Sequence, residues 1–209
     1  MTGGLIRRLV VVTAGLSQPS STRLLAERLA EAVRTPLAAD GDPVEIEVVE
    51  LRDLAHDVVN NMLTGFPPPA LARVVEQITA ADALIAVTPI FNASYSGLFK
   101  SFFDVLDPES LRGKPVLIGA TGGSERHSLA LEHAVRPLFS YLHAITVPTS
   151  VYAASSDWGT ADGSNALAER IDRAGAELAG LISRTGPPAA TGPVDPFANP
   201  PSFLDLLGR

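Results

Sequence analysis

Leu9-Val10-Val11-Val12-Thr13-Ala14 is an unbroken apolar run that stops at Gly15. Leu16-Ser17-Gln18-Pro19-Ser20-Ser21-Thr22 follows at once, and then Leu24, Leu25, Leu29 and Val33 at near-helical spacing. A run without alternation is what a strand covered on both faces requires. The sequence therefore predicts a buried strand over 6–14, a tight turn and a helix over 20–34. Such a turn aims unpaired backbone N–H groups, hydroxyls and the positive end of a helix at one point. A phosphate is the natural occupant.

The rest of the chain repeats the unit. Pro36 and the segment 38–43 end the first helix. Val44 to Leu51 alternates, as a strand at a sheet edge with one wetter face does. Residues 52–67 have weak periodicity and read as loop. Ala70 to Ala81 has a helical apolar face, with a proline available for its first turn. Asp82 to Thr88 is the next buried strand and ends at Pro89. Leu98 to Leu106 is an aromatic-rich helix, Pro115 to Ala120 a short strand, and 125–142 a helix that Pro137 kinks or divides. A last strand lies within 144–154, a loop containing Trp158 spans 155–165, and a long helix covers 166–184. Strand–helix order with short connections means an open parallel α/β sheet with helices on both faces. One domain spans 1–185, and residues 186–209 form a Pro/Gly-rich tail whose Phe203-Leu204-Leu206-Leu207 can dock on the body or on a partner.

Composition narrows the functions. A net charge of −7 argues against general nucleic-acid or anionic-membrane binding. With no cysteine there are no disulfides and no thiolate or iron–sulfur chemistry, which fits a cytoplasmic protein. No run approaches the roughly 18 apolar residues of a membrane span. Arg7 and Arg8 precede an apolar stretch, but that stretch is short, β-branched and followed by a hydroxyl turn rather than a cleavage site.

In an open parallel sheet the binding crevice lies beyond the carboxyl ends of the strands. Three such ends carry unusual loops. The first, 15–22, has neither the glycines of a dinucleotide fingerprint nor the Lys-Ser/Thr of a Walker A loop. Its Ser17, Ser20, Ser21 and Thr22 suit a phosphate monoester; a plain N-cap and turn is the alternative. The second runs from Pro89 to Gly97, where Phe91 and Tyr95 either border a flat ligand or belong to core or interface. Lys100 faces solvent or pairs with another chain. The third, Thr121-Gly122-Gly123-Ser124, lets main chain approach a ring edge, or is a helix start capped by Ser124. Together they describe a site for a phosphorylated planar cofactor. His56, His127, His133 and His143 have no metal-ligand spacing, Asp53 and Asp57 read as solvated loop residues, and there is no G-x-S-x-G elbow. Phe99, Phe102, Phe103 and Leu106 form an apolar stripe, either core or subunit interface.

The text of these loops resembles the NADPH-dependent FMN reductase family of the flavodoxin-like fold, from about Arg8 to Gly180, and in particular its actinobacterial members. Thr88-Pro89-Ile90-Phe91-Asn92-Ala93-Ser94-Tyr95-Ser96-Gly97-Leu98-Phe99-Lys100 is the most specific block. The resemblance implies a three-layer sandwich with a five-stranded parallel sheet in the order 2-1-3-4-5. It implies FMN phosphate at Ser17, Ser20, Ser21 and Thr22. The ribityl chain and isoalloxazine would lie along Pro89, Ile90, Phe91, Asn92 and Ala93, and the ring at Thr121, Gly122, Gly123 and Ser124. Phe91 replaces a frequent family Tyr, which removes a hydroxyl contact. Residues 155–160 resemble a segment near the site mouth. The implied activity is hydride transfer from NADPH or NADH to flavin N5, with no catalytic acid–base residue and no metal. FMN is either retained or released to a flavin-dependent monooxygenase. A homodimer or homotetramer is implied. Two other activities remain on this scaffold: a quinone or azo-compound reductase with bound FMN, and a non-enzymatic electron carrier.

Overall fold

The computed structural model describes residues 6–158 and 161–185. The tail 186–209 expected from the sequence, and residues 159–160 of the 155–160 segment, lie outside the described residues.

The first strand, β1 (Arg7–Thr13), pairs in parallel with β2 (Val44–Glu50) on one side and β3 (Ala83–Phe91) on the other. β3 pairs in parallel with β5 (Pro115–Gly122). The last sheet position is shared by β6 (Ile145–Thr146) and β7 (Val151–Ala154), both parallel to β5. β4 (Ser94–Tyr95) returns antiparallel on β3. Counting only the parallel positions, the order is 2-1-3-4-5, the flavodoxin-like arrangement expected. β2 is the alternating edge strand, as its sequence pattern required.

Alternate residues of the central strands feed two cores. Leu9, Val11, Ile85, Val87 and Leu117 face α1 (Ser21–Ala39) and α6 (Ala161–Arg184). Val10, Val12, Leu84, Ala86, Val116 and Ile118 face the other layer. That layer holds α2 (Ala55–Thr64), α3 (Pro69–Ala80), α4 (Gly97–Asp104) and α5 (Arg136–Tyr141). The stripe Phe99, Phe102, Phe103 and Leu106 is buried here, so it is core rather than subunit interface. Phe103 and Phe139 meet edge-on with centroids 5.0 Å apart. Burying each such ring contributes roughly 1.5–3 kcal/mol. Among the described residues no helix is long and apolar enough to cross a membrane.

Several elements differ from the sequence expectation, α6 among them, which begins at Ala161 within the expected loop 155–165 rather than at 166. α1 runs through Pro36 to Ala39 instead of ending at Pro36. Proline cannot donate to the Ala32 carbonyl, yet a break one turn from the helix end is tolerated there because Leu37 still buries and Asp40 N–H donates to Pro36 O. Gly175 of α6 lies against this same turn: a Cβ on it would stand 2.6 Å from the Ala32 carbonyl oxygen. Residues 55–64, expected to be loop, form α2. Only Val58 and Asn61 of that helix are buried, while Val59, Met62 and Leu63 are exposed, which blurs the periodicity. Gly65, at φ 78°, ends it in a left-handed cap.

The segment 125–142 is not one helix. A short 3-10 turn (Glu125–His127), a π-helical turn (Leu131–Val135) and α5 follow one another, with Pro137 at the start of α5. The last strand is interrupted at Pro148, which has no N–H to offer β5. The Arg136 guanidinium staples the break by donating to Thr146 Oγ1, Val147 O and Pro148 O at 2.9, 3.0 and 3.1 Å.

Candidate functional site

The carboxyl ends of β1, β3 and β5 meet at one edge of the sheet. Ser20 caps α1, accepting from Arg23 N–H at 3.2 Å. Gly15 is required by that cap, since a Cβ there would stand 2.0 Å from Ser20 Oγ. Ser17 and Ser21 are exposed, Ser20 is half-buried, and Thr22 is buried. Among the described residues, the N–H groups of Leu16, Ser17, Gln18, Ser20, Ser21 and Thr22 have no protein acceptor. The loop is thus a cluster of donors, as a phosphate cradle needs. A depression of about 730 Å³ lies against it, lined by Ser17, Gln18, Pro19, Ser20, Ser21, Arg23, Leu24, Glu27 and Glu50. A second groove, about 560 Å³ between α1 and α6, is lined by Arg28, Ala32, Pro36 and Ile171 among others and contains none of the three loops.

Side-chain cations contribute little to that cradle. Arg23 is paired with Glu27 at 2.8 Å and with Glu50. These carboxylates, first through the hydrogen bond to Glu27, hold its pKa above the ordinary value. Arg52, which the sequence reading did not single out, donates to Leu16 O at 3.2 Å and so fixes the backbone of the loop.

The second loop is a hairpin rather than a strand end. β3 passes through Pro89 and stops at Phe91. Pro89 is tolerated because the pairing with β1 ends at Val87, so the missing N–H breaks no bond on that side. Asn92 and Ala93 form the turn, both at positive φ (49° and 70°), as a two-residue type I′ hairpin requires. Ile90 is buried; Phe91, Asn92 and Ala93 are exposed, Phe91 by 47%. Tyr95 is half-buried and packs on Phe99 with centroids 6.0 Å apart, so it belongs to the core side. Ser96 caps α4 by accepting from Phe99 N–H at 3.2 Å, and its own N–H donates to buried Thr88 Oγ1 at 3.1 Å. Lys100 pairs with Asp104 on the same helix.

The third loop is held on both faces of the sheet. Thr121 Oγ1 lies 2.8 Å from Thr22 Oγ1, and both residues are buried. Two hydroxyls in one bond use one proton, leaving the other to donate elsewhere. Pro89 and Thr121 are register partners, so Thr22, Thr121 and Pro89 tie the three loops together. On the opposite face Tyr152 of β7 donates to Ser124 O at 2.6 Å. Burial, and then the Asp157 carboxylate, push the pKa of Tyr152 above its ordinary value. Ser124 makes no side-chain cap bond, contrary to its reading as a helix cap. Gly123 opens onto free space.

Other candidates fall away from this edge. Trp158 packs on the α1–α6 core, with the Arg28 guanidinium 4.9 Å from its ring centroid. Asp157 accepts from Ala154 N–H at 2.8 Å and caps the turn after β7. The four histidines are all exposed. Tyr152 and Arg52 escaped sequence reasoning. The only available signal was a Tyr set among small residues in Val151-Tyr152-Ala153-Ala154.

The donor set fits FMN: acceptor-free amides and hydroxyls at one end, an unobstructed glycine and a half-exposed phenyl at the other. Comparison with known proteins agrees. Residues 7–159 match the NADPH-dependent FMN reductase family. An FMN reductase (NADPH) from Pseudomonas aeruginosa is 38% identical over 151 residues, 72% of this chain and 78% of that protein. An NADH-dependent FMN reductase, SfnF, from Pseudomonas fluorescens is 37% identical over the same shares of each chain, 72% and 78%. An oxidoreductase of known structure from Corynebacterium diphtheriae superposes with a TM-score of 0.84 at 45% identity, covering 87% of this chain and 99% of its own. The apo form of the NADH:FMN oxidoreductase EMOB superposes with a TM-score of 0.69 at 30% identity, covering 81% and 89%. With its fold, its three joined loops and these matches in agreement, the chain belongs to the NADPH-dependent FMN reductase family.

Proposed function

We propose that this protein is an NAD(P)H:FMN oxidoreductase whose flavin site lies across the carboxyl ends of β1, β3 and β5. The observation that carries this reading is the Thr22–Thr121 bridge at 2.8 Å, which joins a loop of acceptor-free amides to a glycine loop. FMN, when bound, supplies the two-electron chemistry by accepting hydride from a reduced nicotinamide. The protein binds and orients. Ser17, Ser20, Ser21 and Thr22, with the amides around them, hold the phosphate. Pro89, Ile90, Phe91, Asn92 and Ala93 border the ribityl chain and one edge of the ring. Thr121, Gly122, Gly123 and Ser124 hold the other edge. No side chain is required as acid or base. Both NADPH and NADH occur in the names of the relatives, and both are donors to test.

The protein works in the cytoplasm as a homodimer or homotetramer and passes reduced FMN to a flavin-dependent monooxygenase. Support for self-association comes from Val59, Met62, Leu63 and Phe66, an exposed apolar stripe at helical spacing along and just beyond α2. Exposed Phe91 and Gly123 leave the ring end of the site open for release or for cover by a second copy.

The test is purification, flavin titration, and rapid mixing of the FMN-loaded protein with NADPH and with NADH. The flavin absorption band bleaches with at least one donor. No bleaching with either on a catalytic timescale would sink the enzymatic reading. Loss of colour on dialysis identifies FMN as a released substrate rather than a fixed group.

A further inference from the structure

We propose that Tyr152 is a positioning residue for the flavin ring: by holding the Ser124 carbonyl it turns the Ser124–Glu125 peptide so that the Glu125 N–H faces away from the strand, as a donor to the ring. This rests on the FMN reading above. Tyr152 is 9% exposed, stands opposite Ala120 in the sheet, and donates to Ser124 O at 2.6 Å. In a trans peptide the C=O and the following N–H point in opposite directions. Among the described residues only Gln18–Pro19 is cis, so a carbonyl drawn toward Tyr152 sends the Glu125 N–H the other way. That N–H has no protein acceptor among the described residues.

The 3-10 turn that starts at Glu125 shares in setting this peptide, with Ser128 N–H donating to Glu125 O at 3.1 Å. Ser124 makes no cap bond through its side chain, and its φ of −148° is ordinary extended backbone. Gly122 has a second role beside the close ligand approach its sequence suggested. A Cβ on it would stand 2.0 Å from the Tyr152 hydroxyl oxygen, so the glycine makes room for the tyrosine. Of the two glycines, Gly123 has open space where its Cβ would stand. Burial favours the protonated phenol, so the hydroxyl remains a donor through the neutral range.

The test is Tyr152→Phe, which keeps the ring and removes the donor. Affinities for FMN and for riboflavin should both fall by about tenfold, because the lost contact is to the ring and not to the phosphate. The visible circular dichroism of the bound flavin should change with them. Gly122→Ala, which drives the hydroxyl aside, should give the same equal loss and add less than twofold in the Tyr152→Phe background. Wild-type affinity and an unchanged flavin spectrum in Tyr152→Phe, with only a lower melting temperature, would show that the tyrosine merely packs. A loss confined to FMN would equally overturn the proposal. Wild-type protein that binds neither flavin defeats the FMN reading itself, a distinct outcome.

Discussion

Thr22→Val preserves the shape of the side chain and deletes the hydroxyl that meets Thr121 at 2.8 Å. Thr22 and Thr121 are 3% and 4% exposed, so neither can turn to bulk water. Either single change strands a buried hydroxyl, which costs about 1–3 kcal/mol. In a domain of this size each kcal/mol lowers Tm by roughly 2–4 °C. Thr22→Val and Thr121→Val should therefore each melt about 4–8 °C early. The double variant strands nothing and replaces a polar pair by two apolar groups, so it should melt within about 3 °C of wild type. Urea unfolding of the four flavin-free proteins closes the cycle. With each single variant costing about 2 kcal/mol and the double about 0–1 kcal/mol, a coupling energy of about 3–4 kcal/mol is expected, against the roughly 0.3–0.5 kcal/mol scatter of independent sites. Additive single effects would mean that the two loops are not joined by this bond, and the bridge could no longer carry the functional reading.

Ser21 is exposed and its hydroxyl makes no hydrogen bond to the described residues, so Ser21→Ala leaves the helix start intact and tests the ligand contact. FMN affinity should fall about tenfold or more, as for a charged acceptor, while riboflavin affinity is unchanged; equal losses would refute phosphate binding at this loop. Ala93 holds φ 70° in the hairpin turn. Ala93→Gly should raise stability by up to about 1 kcal/mol in urea unfolding, and a decrease would refute the strain. Lys114 is buried at the opposite end of the sheet, donating to the carbonyls of Thr79 and Ala81, and burial pulls its pKa down to about 8 despite Asp82. Its folded pKa lies below the ordinary 10.5, so the unfolded chain binds more protons between those values and stability rises with pH across that window. Relative to Lys114→Met, wild type should gain about 2 kcal/mol between pH 7 and pH 9.5; parallel stability profiles would refute it.

The parts of the fold legible in the sequence are those where burial alone decides. Leu9 to Ala14 and Ala83 to Val87 are covered on both faces, so hydrophobicity marks them without help from neighbours. The β2 edge was legible because one of its faces is wet. What escaped depends on partners distant in sequence. Pro89 looks like a strand end until β1 is seen to stop short of it. The hairpin turn carries Ala93 where Asn-Gly would have announced it. α2 was hidden by apolar residues on its outer face. At the candidate site, the three loops could be named from their residue types. Their attachment could not, because Thr22 and Thr121 are 99 residues apart, and Tyr152 meets Ser124 only through strand register.

The broken last strand has a consequence for solubility. A sheet edge offers its free N–H and C=O groups to any passing strand, and long flat edges seed aggregation. Here the edge beside β5 is cut into pieces of two and four residues. Between them Pro148 has no N–H, and its carbonyl and that of Val147 are already taken by Arg136. Thr149 N–H is taken by Glu177 at 2.8 Å. The opposite edge strand, β2, carries exposed Glu45 and Glu47. A second chain approaching either side finds a satisfied, interrupted backbone or like charges. The open sheet can therefore end at five positions without recruiting a sixth, and Arg136 guards one of its two edges.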